Sequence, residues 1–281
     1  MKQKRAPSPT RKQTVQTADP PELYTFAISH FSEKVRWALD IERVPYREQR
    51  LIPGVHGFTT RGFAAKSSVP VLRQGNRVIQ GSREILDALP VLFSATTLQP
   101  ATLSPEQRAE IVEWEALFDY AFGLGVQRLA FDELLGLPRE AVDFIAQDAP
   151  GWAKLLYRVG YPFVRRSVRD LYEIKPRTVD RARRAFADAI ARTDKRLENC
   201  PFLVAEQLTR ADITLAALLA PLCRPPQHLA RWPKTVPGLQ EFVTPFESGV
   251  TWKWVLRMYS ERRHGSGSAI EQQADSARRR E

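Results

Sequence analysis

The sequence predicts an α/β domain over residues 22–92 and an all-α domain over residues 105–263. Up to residue 92, short apolar runs alternate with helical patterns, which favours a sheet covered by helices. From residue 105 to about residue 222 no run has the pattern of a strand, so this part is predicted to be helical. Residues 93–104 show no clear period and predict a linker. A chain of 281 residues is long enough for two ordinary domains.

Turn residues separate the elements of the first domain. Val44-Pro45 and Pro53-Gly54 end two of them, and Gln74-Gly75-Asn76 has the composition of a hairpin turn. The elements predicted between these turns are strands at 23–28, 46–52, 69–73 and 77–80, helices at 31–43 and from residue 82, and a weak helical patch that ends at Lys66. This order, βαβ, a variable segment and then ββα, is the thioredoxin-like layout, a small mixed sheet with helices on its faces.

The second domain begins with a strong helix start. Ser104 is a good N-cap and Pro105 suits the first helical position. Thr209 has the same capping character, and Asp212 is placed to reach back to its N–H group. The following residues, 214–222, are apolar on nearly all sides, which predicts a helix at the centre of the domain. The other helices are predicted at 105–121, 138–147, 150–172, 176–198 and near 251–263.

The charge is positive and unevenly distributed. The net charge is +10, and residues 154–184 hold ten Lys or Arg against three acids. Residues 1–21 are polar and basic and are predicted to be a disordered tail, and residues 264–281 a flexible one. A basic excess suits nucleic acid, a membrane surface or small anions, but a solvated helix face explains it more simply. No nucleic-acid recognition motif accompanies the charge, so no such partner is expected.

Composition argues against several other classes of protein. No apolar run approaches the roughly 20 residues that span a bilayer, so no membrane partner is expected. The N-terminus lacks the apolar core of a secretory signal. Cys200 and Cys223 are the only cysteines, which favours a reducing, cytoplasmic location, and both are expected to be inert. The four histidines show no metal-ligand spacing, so no metal is expected.

One stretch has the character of an anion site. The apolar run that begins at Leu23 stops at Ser29, where a helical pattern starts, so Ser29 lies where a strand leads into a helix. Free N–H groups and the positive end of the helix dipole meet at such a position. Ser29 and Ser32 are spaced like the cysteines of a C-x-x-C motif, with hydroxyls in place of thiols. The simpler alternative is that one of them is only an N-cap.

Four motifs together define a resemblance. They are Ser29 to Arg36, with a serine seven residues before an arginine; Val69-Pro70; Gly81-Ser82 at a helix start; and the cap formed by Thr209 and Asp212. In this order and spacing, over roughly residues 22–260, the chain resembles the glutathione transferase superfamily. The resemblance implies glutathione as co-substrate, a small apolar electrophile as second substrate, a role in detoxification and a two-fold homodimer.

The resemblance also implies roles for individual residues. Ser29 would lower the thiol pKa of bound glutathione without forming a covalent intermediate. One charge-assisted hydrogen bond is worth about 1.5–3 kcal/mol, or roughly one to two pKa units. Val69-Pro70 would be a cis bond whose flanking backbone pairs with the ligand. Ser82, with Gly81 before it, would hold a carboxylate unless it is a plain N-cap. His56 would meet the glycine carboxylate unless it is a solvent-facing loop residue, and Ser32 is a weaker candidate.

The sequence departs from the family pattern at several places. Gly81 stands where the family usually has Glu or Gln, which removes one side-chain contact to the γ-glutamyl end. The position of a catalytic tyrosine falls on Thr25, with Tyr24 one residue off and facing the other side of the strand. No cysteine lies in the first domain, so thiol exchange has no nucleophile there. Residues 123–175 are longer than a minimal second domain needs and have no assigned role.

Two functions therefore remain open at this stage. The first is a transferase that conjugates or reduces small electrophiles, with Ser29 activating glutathione. The second is a protein of the same fold that has lost catalysis and acts as an interaction or ligand-binding module. For the apolar wall of a substrate site, the aromatic residues of the first long helix are candidates, although core packing is the commoner role of such residues. They are Trp114, Phe118, Tyr120 and Phe122.

Overall fold

The computed structural model describes residues 19–234 and 236–263. The predicted tails therefore lie outside the described residues, apart from 19–21. Within the described part of the chain, no helix has the length and apolar character needed to cross a membrane.

A four-stranded mixed sheet forms the centre of the first unit. The strands are β1 (Glu22–Thr25), β2 (Arg47–Arg50), β3 (Val71–Gln74) and β4 (Arg77–Gln80), in the order β2-β1-β3-β4. β1 runs parallel to β2 and antiparallel to β3, which forms a hairpin with β4. Leu23 and Leu72 are register partners and both are buried. The predicted thioredoxin-like α/β layout is confirmed.

Three helices accompany this sheet. They are α1 (His30–Ile41), α2 (Gly57–Thr60) and α3 (Ser82–Phe93). α1 and α3 contact each other and bury Val35, Leu39, Ile85 and Leu86 in one core with Leu23 of β1. These positions repeat at helical spacing, which is why the sequence predicts both helices.

The second unit is helical in the described residues, as predicted. Its helices are α4 (Pro105–Phe118), α5 (Gly125–Leu134), α6 (Pro138–Ile145), α7 (Gly151–Val159), α8 (Tyr161–Leu171), α9 (Pro176–Leu197), α10 (Arg210–Cys223), α11 (Pro237–Val243) and α12 (Val250–Arg262). A π-helical segment, Asp119–Leu124, joins α4 to α5. α10 is buried along its whole length and packs against α1, α4 and α12. It is therefore the central helix that the sequence predicts.

The cap of α10 has the predicted form. The Thr209 N–H group donates to Asp212 Oδ2 at 2.8 Å, and the Thr209 hydroxyl donates to the same oxygen at 2.9 Å. The Leu203 N–H group donates to Oδ1 at 2.9 Å. Burial raises the pKa of Asp212 to about 6, although these three donors favour the ionised form.

The helices differ from the prediction at three places, one of which is the short helix α11, which was not predicted. The predicted helix 150–172 divides at Gly160 into α7 and α8, because Pro162 in the first turn of α8 has no N–H group for a continuous ladder. α5 was not predicted, since the glycines before it suggest a break. Gly123 lies in the π-helical segment instead, where a Cβ atom would come within 2.5 Å of the Phe31 ring. That glycine allows α1 to pack closely against the junction of α4 and α5.

Candidate active site

An apolar cavity of about 340 Å³ lies between the two units. The first unit contributes the segment 26–31, with Ser29 in it, and the loop 67–69. The second unit contributes most of the apolar wall. Its lining residues include Val126, Ala130, Phe131 and Leu134 of α5, Leu171 and Tyr172 at the end of α8, and Pro221, Trp232 and Leu239. A small apolar molecule fits this space, with polar groups along one side.

Ser29 is the N-cap of α1 and also lines the cavity. Its Oγ atom accepts a hydrogen bond of 3.1 Å from the Ser32 N–H group. Its backbone N–H donates to the Phe26 carbonyl, which fixes the turn before the helix. A serine hydroxyl that accepts from an N–H group keeps its own hydrogen for a second partner. Capping and donation to a ligand are therefore compatible at Ser29.

The cis peptide bond at Val69-Pro70 is present as predicted. Val69 lines the cavity, whereas Pro70 is buried and its carbonyl accepts from the Gly81 N–H group at 3.0 Å. Neither backbone polar group of Val69 has a hydrogen-bond partner in the described residues. This short stretch thus offers a free donor and a free acceptor beside the cavity, which is what an extended peptide needs.

His56 lines the cavity and fixes the loop before Val69. Its Nε2 atom bonds to the Ser67 carbonyl, and its ring packs edge-on to Phe26 with centroids 4.8 Å apart. Because a carbonyl only accepts, Nε2 carries the hydrogen, and Nδ1 of the neutral ring is an acceptor. Nδ1 has no partner among the described residues. Nδ1 of His56 is therefore free to pair with a ligand.

Ser82 and Gly81 lie at the start of α3 and do not line the cavity. Ser82 is buried, and Gly81 has a φ of +110°, a conformation that favours glycine. A Cβ atom at Gly81 would also come within 2.1 Å of Glu84 Oε2. The Glu84 carboxylate occupies the place where a side chain at position 81 would begin. Its charge opposes a ligand carboxylate at this helix N-terminus.

Ser32 is placed differently from Ser29. It is fully buried, it does not line the cavity, and its hydroxyl has no hydrogen-bond partner among the described residues. Of the candidates from the sequence, the structure brings Ser29, His56 and Val69 together at the cavity. Ser32, Pro70, Gly81 and Ser82 lie outside its lining.

The aromatic residues proposed for the cavity wall, which lie on α4 and the π-helical segment, do not line the cavity. Phe118 and Phe122 are fully buried and stack with ring centroids 5.4 Å apart, while Tyr120 is exposed. Trp114 stacks on Phe118 at the same distance. Core packing is the correct role for Phe118 and Phe122, and the wall assignment is wrong, because both rings are buried in the helical core, where Phe122 also packs on Phe186 of α9. α5, which was not predicted, supplies the wall instead.

Among the polar lining residues that sequence reasoning missed are Arg224 and Tyr172. Arg224 follows α10 in a left-handed conformation, with φ +49°. Burial lowers the pKa of Arg224, and it is the cationic residue of this lining. Tyr172 stacks on Phe131 with centroids 5.3 Å apart, and burial raises the pKa of its hydroxyl. Neither residue belongs to a recognisable motif.

His30 fastens the start of α1 to the second unit. It is buried, and its Nε2 atom donates to the Gly123 carbonyl at 3.1 Å. Burial lowers the pKa of His30 to about 4, so the ring is neutral near pH 7. The position of Ser29 at the cavity therefore depends on a hydrogen bond between the units.

A buried ionic cluster supports the turn that carries Ser29. Arg36 contacts Glu48 at 2.6 Å and Glu33 at 2.8 Å, and it donates to the Phe26 carbonyl at 2.8 Å. Arg263, just after α12, contacts Glu33 at 2.7 Å. Burial alone would raise the pKa of Glu33, but the charges of Arg263 and Arg36 hold it well below its ordinary value. The arginine of the first motif thus positions the loop.

A second buried cluster joins the two units. Lys34 Nζ lies 2.9 Å from Glu115 Oε1, and Arg210 Nε lies 2.9 Å from Glu115 Oε2. Arg210 also contacts the exposed Asp87 of α3 at 2.5 Å. Glu33, Lys34 and Arg36 of α1 are all fully buried, so each of them needs a charged partner.

The alternative nucleophiles lie elsewhere. Thr25 donates to Glu48 at 2.6 Å and Tyr24 donates to Glu22 at 2.9 Å, and neither lines the cavity. Cys223 is buried, which raises the pKa of its thiol well above the ordinary value and keeps it protonated. Cys200 also lies outside the lining. Among the described residues no group of three or more potential metal ligands occurs.

Two family models match the chain. The model for the glutathione S-transferase N-terminal domain matches residues 23–97, and the model for the C-terminal domain matches residues 151–248. The chain belongs to the glutathione transferase superfamily. The two matches follow the sheet-containing unit and much of the helical unit of this transferase fold. Comparison with curated protein sequences gives no significant match.

Solved structures share the transferase fold at low sequence identity. A beta-etherase from Sphingobium sp. strain SYK-6 is 21% identical with a TM-score of 0.56, over 85% of this chain and 99% of the other. A glutathione transferase from Pseudomonas putida with glutathione disulfide bound is 15% identical with a TM-score of 0.56, over 87% and 88% of the chains. A theta class enzyme from Xanthomonas axonopodis pv. citri with glutathione bound is 16% identical with a TM-score of 0.51, over 84% and 97%.

Proposed function

We propose that this protein is a glutathione transferase in which Ser29 activates the glutathione thiol for reaction with an apolar electrophile. The observation that carries the proposal is the meeting of three features at one place. A serine hydroxyl at a helix N-terminus, the unpaired backbone groups of Val69 and an apolar cavity adjoin one another. The first two suit a thiolate on a short peptide, and the third suits its reaction partner.

Ser29 acts by stabilising charge. Its hydroxyl donates to the sulfur while the first turn of α1 supplies N–H groups and a positive dipole end. The thiol loses its proton to solvent, the thiolate attacks the electrophilic carbon while the leaving group departs to solvent with its bonding electron pair, and the Ser29 hydroxyl keeps its own hydrogen. One such bond to an anion is worth about 1.5–3 kcal/mol, which lowers the thiol pKa by roughly one to two units. At neutral pH the thiolate fraction then rises about ten-fold or more.

The cavity holds the second substrate. Its wall is apolar, which favours a compound without charge at the reacting end, and Arg224 offers one cation at the lining. We propose that conjugation of such compounds serves detoxification. We also propose a cytoplasmic location, because the chain has only two cysteines. The homodimer is part of the same proposal.

A second candidate function has its own observation. The Glu84 carboxylate fills the place of the missing side chain at Gly81 and faces the expected position of the γ-glutamyl end. This arrangement favours a protein that binds apolar ligands or partners without catalysis, because glutathione would then lose part of its site. Glu84 is exposed and its side chain can turn away, so the enzyme remains the preferred proposal.

Retention on immobilised glutathione separates the two functions. The transferase is expected to bind the resin and to elute with free glutathione, and to conjugate aromatic electrophiles. A protein that passes through the resin and shows no conjugation would contradict the transferase proposal and favour the binding module.

A larger side chain in the cavity is expected to weaken the use of the electrophile without affecting glutathione binding. Ala130→Phe places a ring in the cavity lined by α5, so the KM for an apolar electrophile should rise about 10-fold or more, with glutathione retention unchanged. Ala116→Phe, at an exposed position of α4, is the matched control and should change neither value. Equal KM values for wild type and Ala130→Phe would place the electrophile elsewhere.

The proposed homodimer is tested by light scattering. We expect twice the monomer mass at micromolar protein concentration, since a domain pair of this kind forms two-fold dimers in the family it belongs to. Monomer mass across a wide concentration range would contradict this part of the proposal.

A further inference from the structure

The helices α7 and α8 carry an unusual concentration of exposed apolar side chains. Of thirteen large apolar residues exposed in the described part of the chain, six lie on these two helices. Trp152 is 70% exposed, Val159 is 76% exposed and Phe163 is 75% exposed. Single exposed apolar residues are ordinary, but a group of this size on two consecutive helices marks an interaction surface. The group is Trp152, Leu155, Leu156, Val159, Phe163 and Leu171, called here the α7–α8 face.

The spacing puts the α7 members on one side of the helix. Trp152, Leu155, Leu156 and Val159 follow the i, i+3, i+4, i+7 pattern, while Ala153 on the other side is buried against the protein. Helix α7 is therefore amphipathic, and its apolar side faces solvent. A helix that only covered the core would have the opposite arrangement.

Basic residues accompany the α7–α8 face. Residues 151–175 contain six Lys or Arg and two acids, for a net charge of +4. Arg165, Arg166, Arg169 and Lys175 line one open groove along α8. Arg165 makes no ion pair within the described residues, and Arg166 has only the exposed Asp170 at 3.7 Å. Exposed tryptophan, leucine and phenylalanine beside arginine are the composition of a helix that lies in a membrane interface.

The α7–α8 face adjoins the mouth of the cavity. Leu171 lines the cavity yet is 72% exposed, so it lies at the opening. Tyr157 of α7 donates a hydrogen bond to the Pro53 carbonyl, in the turn that leads to Val55 and Phe58. Both of these residues are themselves exposed, Phe58 by 81%. The α7–α8 face thus reaches the cavity opening at Leu171, and α7 contacts a turn of the first unit that is followed by exposed apolar residues.

We propose that the α7–α8 face docks on the surface of an anionic lipid bilayer, so that apolar molecules dissolved in the membrane reach the cavity directly. The bilayer supplies both an apolar phase for the side chains and negative headgroups for the arginines. A second copy of the chain matches the surface less well. A two-fold interface places the same patch on both sides, so two copies of a segment with a net charge of +4 would face each other. This peripheral contact differs from the sequence-based expectation of no membrane partner, which rested on the absence of a spanning segment.

Vesicle binding by the full chain tests the proposal. We expect the protein to float with vesicles of phosphatidylcholine and phosphatidylserine at 7:3, to bind pure phosphatidylcholine weakly, and to dissociate as salt rises. Leu155→Glu with Phe163→Glu should lower the partition coefficient at least about 30-fold. Arg165→Gln with Arg166→Gln should lower it about 10-fold and reduce its salt dependence.

Matched variants test whether binding depends on this face or on exposed apolar and basic residues elsewhere on the protein. Val91→Glu changes an equally exposed apolar residue on α3, and Arg257→Gln removes an exposed charge on α12; neither should alter binding. Brominated lipids should quench Trp152, and Trp152→Phe should remove that part of the quenching. Glutathione retention should survive all of these changes, so the outcome is independent of the proposed catalysis.

Three outcomes would overturn the proposal. The first is absence of binding to the anionic vesicles. The second is unchanged binding of Leu155→Glu with Phe163→Glu, which would assign the lipid contact to another part of the chain. The third is a wild-type dimer that this double variant dissociates, since the α7–α8 face would then be covered by a second copy.

Discussion

Replacing Glu115 by alanine is expected to lower the free energy of unfolding by about 3–5 kcal/mol. The Glu115 carboxylate is almost fully buried, and its two oxygens lie 2.9 Å from Lys34 and 2.9 Å from Arg210. Its Oε1 atom also accepts from the Thr214 hydroxyl at 3.0 Å. Removal of the shared anion leaves two cations without their central partner, and Lys34 has no exposure to solvent through which it could be hydrated.

Urea unfolding followed by circular dichroism measures the loss. Glu113→Ala, two residues earlier on the exposed side of α4, is the matched control and should stay within about 0.5 kcal/mol of wild type. A loss below 1 kcal/mol for Glu115→Ala would mean that water or Asp119, 3.7 Å from Lys34, neutralises the cluster instead.

The acid dependence provides an independent check of the same cluster. Burial opposes ionisation of Glu115, but Lys34 and Arg210 hold its pKa below the ordinary value. A carboxyl with a lowered folded-state pKa stabilises the fold above its unfolded pKa of about 4.3 and loses that contribution as pH falls through the folded value. The difference in stability between wild type and Glu115→Ala should therefore shrink below about pH 4. A difference that is constant from pH 7 to pH 3 would contradict the assignment.

Most helices and strands can be predicted from the sequence, because strong local signals mark where they begin or end. Ser104-Pro105 and Thr209 with Asp212 are helix starts that need no tertiary information, and the hairpin at Gly75 is equally local. The errors arise where packing overrides those signals. Gly123 looks like a helix breaker, yet its lack of a side chain allows the Phe31 ring to approach a continuing π-helical segment. Only the three-dimensional contact between α1 and this segment reveals that reason.

Only the residues that the first unit contributes to the candidate site could be predicted from the sequence. Ser29 and Val69 lie in motifs that are contiguous in the chain, so their neighbourhood can be read from spacing. The cavity wall is assembled from α5, the end of α8 and the segment after α10, which are brought together by the folding of distant segments. Arg224 owes its place to a left-handed residue at a helix end, which the chain does not mark with glycine. The two prolines after Arg224 mark the end of α10, but they do not show that its side chain lines the cavity.

Ser29→Ala is expected to slow glutathione conjugation at neutral pH by about 10- to 100-fold with the fold intact. The estimate follows from the loss of one hydrogen bond to a thiolate, worth about 1.5–3 kcal/mol. Helix α1 keeps its position because His30 and Arg36 hold its start through separate contacts. Loss of the N-cap should lower the unfolding free energy by about 1 kcal/mol. The KM for glutathione should change little, because the thiol is a small part of the peptide that binds.

The pH dependence decides whether Ser29 acts on the thiol. If the hydroxyl lowers the pKa of bound glutathione, the rate deficit of Ser29→Ala should be largest near pH 6.5 and shrink toward pH 8.5, where a free thiol ionises by itself. Ser32→Ala is the matched control, since its hydroxyl is buried away from the cavity, and it should retain most of the activity. With glutathione disulfide supplied, Ser29→Cys should form a mixed disulfide by thiol–disulfide exchange and release one glutathione, because a thiol at a helix N-terminus is activated. Full activity of Ser29→Ala at neutral pH would transfer the preference to the non-catalytic binding module, since the cavity and the α7–α8 face do not depend on that hydroxyl.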